Sequence, residues 1–220
     1  WGDDVELWRR WTPVLLGFDH AKAQDAQQRL AEGIFGLERL RHGYTNVMSD
    51  VEHSAEDTSD PLTLALLIDP NSDFALPKSD RIGELARSLW MTANDRNQLQ
   101  FRSTYFTATQ VDSNRSRACD TAYHTRALQP LIHRWRHGDT ASGALLSAWL
   151  RMWRTTSLES SNGKPAGLIP SSIRFPSGEA GGSGDDWWDP GCHITNKTFA
   201  WPRAVSMLAQ ALVVAAEQTN

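Results

Sequence analysis

Apolar residues recur at helical spacing along most of this chain, and polar runs divide them into hairpins. Asp19 suits an N-cap. Ala26, Leu30, Ile34, Leu37 and Leu40 then share one face of a helix predicted to reach Gly43, a residue type that suits a helix end. The next apolar run, Asp60 to Pro70, is hydrophobic nearly all round and so belongs in the interior. A strand would fit so short a run, but Asp60 as cap, Pro61 in the first turn and the Asp69-Pro70 stop favour a helix. Ser79 opens a third helix, with Ile82, Leu85, Ala86, Leu89 and Trp90 on one stripe above a wet face.

A fourth helix is predicted from about Asp120 to His137, with Ala127, Leu128, Leu131, Ile132 and Trp135 facing inward. Pro130 removes one of its backbone hydrogen bonds and should bend it near Arg126. Gly138-Asp139 turns the chain into a fifth helix, striped by Leu145, Ala148, Trp149, Met152 and Trp153. The last helix spans roughly Thr198 to Gln218 and is strongly apolar at Ala204, Val205, Leu208, Leu212, Val213 and Ala216. Between these two lie about 40 residues, far more than a usual helix connection. That segment holds Gly167 to Pro176, where short β structure fits, and then a glycine-rich loop. Phe101 to Asp112 alternates in part and reads as an extended rim segment.

Composition narrows the class. The 220 residues suffice for one substantial core or a piece of a larger one, and 40% hydrophobic with 22% charged residues describe an ordinary globular chain. A net charge of −4 gives no basic field for nucleic acid, so none is expected as partner. No apolar run approaches ~18 residues, so no membrane span is expected. No basic segment leads into an apolar one after Trp1, so no signal peptide is visible; a secreted or periplasmic location would follow only from the substrate class. The two cysteines, Cys119 and Cys192, suit a bridge or two free thiols equally. Ten tryptophans are the outlier, and they direct attention to where indoles stand outside the helical stripes.

Two of them do so in Gly181 to Pro190. There Asp185, Asp186, Trp187, Trp188 and Asp189 crowd a loop with little to bury them. Indole faces stack on the CH groups of a sugar ring while carboxylates engage its hydroxyls, so this loop reads as a carbohydrate contact; the bland alternative is a loop anchored by two large side chains. Two further clusters sit at predicted helix starts. Asp50, Glu52, His53, Glu56 and Asp57 precede the buried second helix, either as solvated capping charges or with His53 and Glu56 facing a cleft as acid and base. If that stretch is helical, His53 and Glu56 share a face. The richest cluster runs from Asp112 to Arg126 and includes Asn114, Arg115, Asp120, Tyr123, His124 and Arg126. His124 shares a face with Leu128, Leu131 and Trp135, where a histidine is more often a hydrogen-bonded core residue than a catalyst; the polar company shifts the balance toward chemistry.

Alternating buried and half-wet helices form inner and outer layers, and this pattern resembles the (α/α) toroid of polysaccharide lyases and glycoside hydrolases. The resemblance covers most of the chain, and about three hairpins imply a partial toroid or a piece of a longer chain with further domains. It implies an all-α fold with a long loop region carrying short β segments. It also implies polysaccharide cleavage by one of two chemistries. In β-elimination at a uronic acid, Tyr123 and His124 would act as base and acid. Asn114, Arg115 and Arg126 would then neutralise the carboxylate, Trp187 and Trp188 would hold a sugar ring, and His53 and Glu56 would form the opposite wall. In inverting hydrolysis, two carboxyl groups ~6.5–9.5 Å apart are needed, and Asp185 or Asp186 with Glu56 or Asp120 would supply them. A non-catalytic sugar-binding domain would need only the indoles. No GxGxxG, P-loop, HExxH, GxSxG or EF-hand pattern is present, so no cofactor is expected, with Ca²⁺ on the aspartate-rich loop as the alternative.

Overall fold

The computed structural model describes residues 19–182, 186–188 and 205–219, together with Val14 and Gly17. The helices are α1 (His20–Phe35), α2 (Val51–Asp57), α3 (Ser59–Ile68), α4 (Ala75–Leu85), α5 (His124–Ala127), α6 (Gln129–Arg136), α7 (Thr140–Leu158) and α8 (Val205–Thr219). Six short strands pair antiparallel: β1 (Ser49–Asp50) with β4 (Tyr105–Phe106), β2 (Met91–Ala93) with β3 (Leu99–Phe101), and β5 (Cys119–Thr121) with β6 (Ser172–Arg174). The fold is therefore mainly helical rather than all-α. Its strands fall where aromatic and β-branched residues gather, Phe101 to Thr107 above all.

At the centre of the helical layer lies α3, packed against α1, α4 and α6. Its all-round hydrophobicity is satisfied on those three sides, with Leu62, Leu64 and Leu66 buried and only Leu67 well exposed. The α6, α7 and α8 helices pack on one another at its flank. There Gly143 of α7 lets the Trp135 indole approach so closely that an added Cβ would lie 2.5 Å from Nε1. Among the described residues Trp90, Trp149, Trp153, Tyr44, Phe101 and Phe106 are the largest fully buried side chains. Trp90 meets Phe106 and Tyr44 with ring centroids 4.5 and 4.6 Å away, and its N–H donates to the Thr107 carbonyl. Much of the unusual tryptophan content is thus core.

Several expected boundaries move, each for a local reason. The first helix stops at Phe35, and Glu38–Leu40 forms a separate 3₁₀ turn that carries Arg39 away from the α1 axis. The charged run before α3 is itself a helix, α2, capped by Asp50, whose Oδ1 accepts the N–H groups of Glu52 and His53. The helix expected from Asp120 is replaced there by β5, which pairs with β6 so that Asp120 lies opposite Ile173. Pro130 then breaks the helix rather than bending it. Its ring cannot pack against the turn before it, so α5 ends at Ala127 and Pro130 takes the first turn of α6. The 40-residue segment is pinned by Lys164, whose ammonium donates to the carbonyls of Ser157, Glu159, Pro165 and Leu168.

Candidate active site

The stretch from Thr121 to Leu128 is buried without interruption. His124 and Asp120 have no exposed surface, with Nδ1 of the imidazole 3.0 Å from the Asp120 carboxylate. The other oxygen of Asp120 accepts the Trp149 indole N–H at 2.7 Å and the Phe101 amide at 3.2 Å. The His124 ring lies flat on Phe101 at 4.0 Å, its Nε2 3.1 Å from the Ser103 carbonyl and its Nδ1 2.9 Å from the Thr121 amide. Every edge of this ring faces protein. Such a pair ties β3, β5 and α5 to α7 and presents no face to a polymer. Tyr123 is nearly as buried, at 8% exposure.

Arg126, the expected carboxylate binder, is already occupied. Its guanidinium meets Asp60 at 2.6 Å and reaches Glu56 and Glu52 at 3.4 Å each, with only 3% of the side chain exposed. Burial disfavours its charge, but Asp60, Glu56 and Glu52 together outweigh that and raise its pKa. The three carboxylates stand four residues apart, one above another across α2 and α3, which makes the pairing a helix-to-helix clamp. Asn114 and Arg115 are exposed on the other side of β5. Asn114 caps a 3₁₀ turn (Arg115–Arg117) by accepting from the Ser116 amide and hydroxyl. The tryptophan loop is described in part. Asp186 and Trp188 are exposed, Trp187 is half-buried, and the Trp187 carbonyl accepts from Ser171, which holds the loop against β6. Asp185 lies outside the described residues.

An open cleft lies instead along α2. It has a volume of about 340 Å³ and is lined by Arg39, Thr45, His53, Ser54, Glu56 and Asp57, among others. His53 and Glu56 thus share one cavity, which follows from helical spacing of three. Asp50 is the residue that shapes the site. While one of its oxygens caps α2, the other lies 2.7 Å from Nδ1 of His53. That carboxylate accepts only, so Nδ1 carries the hydrogen and Nε2 of the neutral ring is left as the basic nitrogen. The His53 side chain is 67% exposed, and among the described residues Nε2 has no hydrogen-bond partner. Burial pulls the His53 pKa down, yet the charge and hydrogen bond of Asp50, with Glu56 and Glu52 behind, raise it above the ordinary histidine value. Arg39, which also lines the cleft, pairs with Asp57 at 3.1 Å, while among the described residues its buried Nε has no acceptor.

The site assembles a base held in one tautomer, carboxylates beside it and a guanidinium in the same cleft. Glu56 bridges the two clusters, since it lines the cleft and touches Arg126. Sequence reasoning reached His53 and Glu56 but not Arg39 or the orienting role of Asp50. Asp50 was visible as an N-cap three residues before His53, a spacing that returns a side chain over the first turn. Arg39 could not be found while its segment read as continuous helix. Among the described residues no group of three or more His, Cys, Asp or Glu is arranged to hold a metal ion. The aspartate-rich loop considered for Ca²⁺ falls largely outside them. No family model, curated protein or solved structure matches the chain.

Proposed function

We propose that this chain is a carbohydrate-active enzyme, a partial (α/α) toroid that cleaves a polysaccharide, with its acid–base chemistry in the α2 cleft. The carrying observation is the Asp50–His53 pair, which leaves a basic imidazole nitrogen open to solvent in a cleft it shares with Glu56 and Asp57. Eliminative cleavage at a uronic acid is the reading we favour. His53 Nε2 takes the proton next to the sugar carboxylate, and the electron pair of that C–H bond forms a double bond as the glycosidic C–O bond breaks. The imidazolium then returns its proton to the departing oxygen. Arg39, at 34% exposure less buried than Arg126, exchanges its partner Asp57 for the uronate carboxylate. Trp188 is exposed on its own loop, where an indole face suits a sugar ring. Hydrolysis is the second reading, because Glu56 and Asp57 bring two carboxyl groups to the same cavity.

Incubation with neutral and uronic polysaccharides, with reducing ends and ultraviolet absorbance recorded together, separates the two. New ends with rising absorbance report a conjugated double bond and support elimination. New ends without it transfer the role to the carboxylates. Loss of either signal in His53→Gln ties the activity to this cleft, whereas silence on every polymer leaves a sugar-binding domain.

A further inference from the structure

A trough of about 490 Å³ lies between α7 and α8 and shares no lining residue with the α2 cleft. Leu150 of α7, 3% exposed, and Leu212, Ala215 and Ala216 of α8 give it an apolar lining. The sequence itself leaves this space hollow. The α8 helix is apolar on more sides than it buries, with Leu208, Ala211 and Val214 facing the core. The stripe it turns toward the trough holds two adjacent alanines, whose side chains are too short to reach across. Apolar atoms along such a gap lack packing partners on one side, and an alkyl chain would supply them.

Charge on the α7 wall narrows the class of ligand. Arg151 and Arg154 stand three positions apart, so they share one helix face, and both are exposed. Among the described residues neither guanidinium has an ion-pair or hydrogen-bond partner, and no carboxylate lines the trough. Arg39, Arg117, Arg126 and Arg134, by contrast, each meet a carboxylate of their own. A sugar would find no aromatic face here and, apart from the arginines, only the side-chain hydroxyls of Ser147 and Thr219. A partner protein is also a poor fit. Each wall runs seven residues, about 10 Å of helix, whereas stable protein interfaces take about 20–30 residues a side. The volume instead falls within the range of small-ligand sites, about 300–1,000 Å³. We infer that this trough binds a medium-chain fatty acid, its alkyl chain on Leu150, Leu212 and Ala216 and its carboxylate between the Arg151 and Arg154 guanidiniums.

The test is calorimetric titration of the full chain with decanoate below its micelle threshold. Decyltrimethylammonium keeps the chain and reverses the charge, while butyrate keeps the carboxylate and removes most of the chain. Saturable one-to-one binding of decanoate is expected, about tenfold or more tighter than either control. The double variant Arg151→Gln, Arg154→Gln should weaken decanoate about tenfold or more, and Ala216→Trp, which fills the trough, should abolish binding. These three positions are exposed, so the melting temperature should stay within about 2 °C of wild type. Absence of saturable decanoate binding, equal binding of decyltrimethylammonium, or undiminished binding in either variant would each overturn the assignment. So would a free chain that sediments as a dimer and becomes monomeric in Ala216→Trp, because a second copy would then cover the trough.

Discussion

Replacing Arg126 by Met should unfold the protein more readily rather than blunt its recognition of substrate. The guanidinium meets Asp60, which is 1% exposed, and it also reaches Glu56 at 8%. Methionine matches the length of the chain but takes the Arg126 charge away from these buried carboxylates. Breaking a buried ion pair from one side costs about 3–5 kcal/mol. For a domain of this size 1 kcal/mol moves the melting temperature by about 2–4 °C, so a fall of about 6–20 °C is expected. Glu52, at 29% exposure, contributes least, because water already screens it. Two controls isolate the cause. Adding Asp60→Asn and Glu56→Gln to the variant should recover much of the loss, since the uncompensated charge is then gone. Lowering the pH should narrow the gap between wild type and the single variant, since protons can replace the missing cation. Thermal unfolding followed by circular dichroism reads all three. A shift below about 2 °C would refute the clamp, and would return Arg126 to the role of carboxylate binder.

Three further outcomes follow from the packing. Gly143→Ala should cost about 1–3 kcal/mol in chemical denaturation, because its Cβ would lie 2.5 Å from the Trp135 indole nitrogen where α6 crosses α7. Lys164→Met should cost about 2–4 kcal/mol and raise proteolysis within 159–168, since the carbonyls of Ser157, Glu159, Pro165 and Leu168 all lose their donor. The Asp139 cap of α7 sets an acid limb. Burial alone would raise its pKa, but the Ser142 hydroxyl, Arg134 and the Ala141 amide outweigh that and lower it. A lowered folded-state pKa means stability present above the unfolded value and lost as pH falls through the folded one. The advantage of wild type over Asp139→Asn should therefore be full near neutrality and fade below about pH 4, read from denaturant midpoints across pH.

Helical content was legible because burial follows a 3.6-residue period wherever one face of a helix meets the core. Leu145, Trp149, Met152 and Trp153 of α7 are an example, whereas α3 was legible from its all-round hydrophobicity and the Asp60-Pro61 start. Short β structure is expected within Gly167 to Pro176, where β6 lies, but the pairing was not legible, since β1 and β4 are two residues each and depend on partners more than fifty positions away. Chemistry was legible by residue type and misread by depth. The Asp112 to Arg126 cluster looked catalytic because polar residues are dense there. Its buried side chains instead bond to partners elsewhere in the fold: Asp120 to Trp149, His124 to Ser103, Arg126 to Asp60. A sequence shows which side chains can form hydrogen bonds, whereas only tertiary packing shows which of them are left for a ligand. The charged run at α2 fitted either solvated caps or a cleft with His53 and Glu56, and one of the caps, Asp50, is what holds the His53 ring in place.

The account rests on His53 as an open base, and the pH dependence of polyuronate cleavage tests that most directly. Asp50 raises the His53 pKa, so the imidazole keeps its proton to a higher pH than an ordinary histidine. The rate should climb as that proton is lost, with a midpoint above about 6.5. In Asp50→Asn the midpoint should move down and the maximal rate fall, because the ring loses both its charge partner and its orientation. In His53→Gln the limb should vanish together with turnover. A His53→Gln protein that cleaves the polymer at the wild-type rate, with the same pH profile, would contradict the central claim.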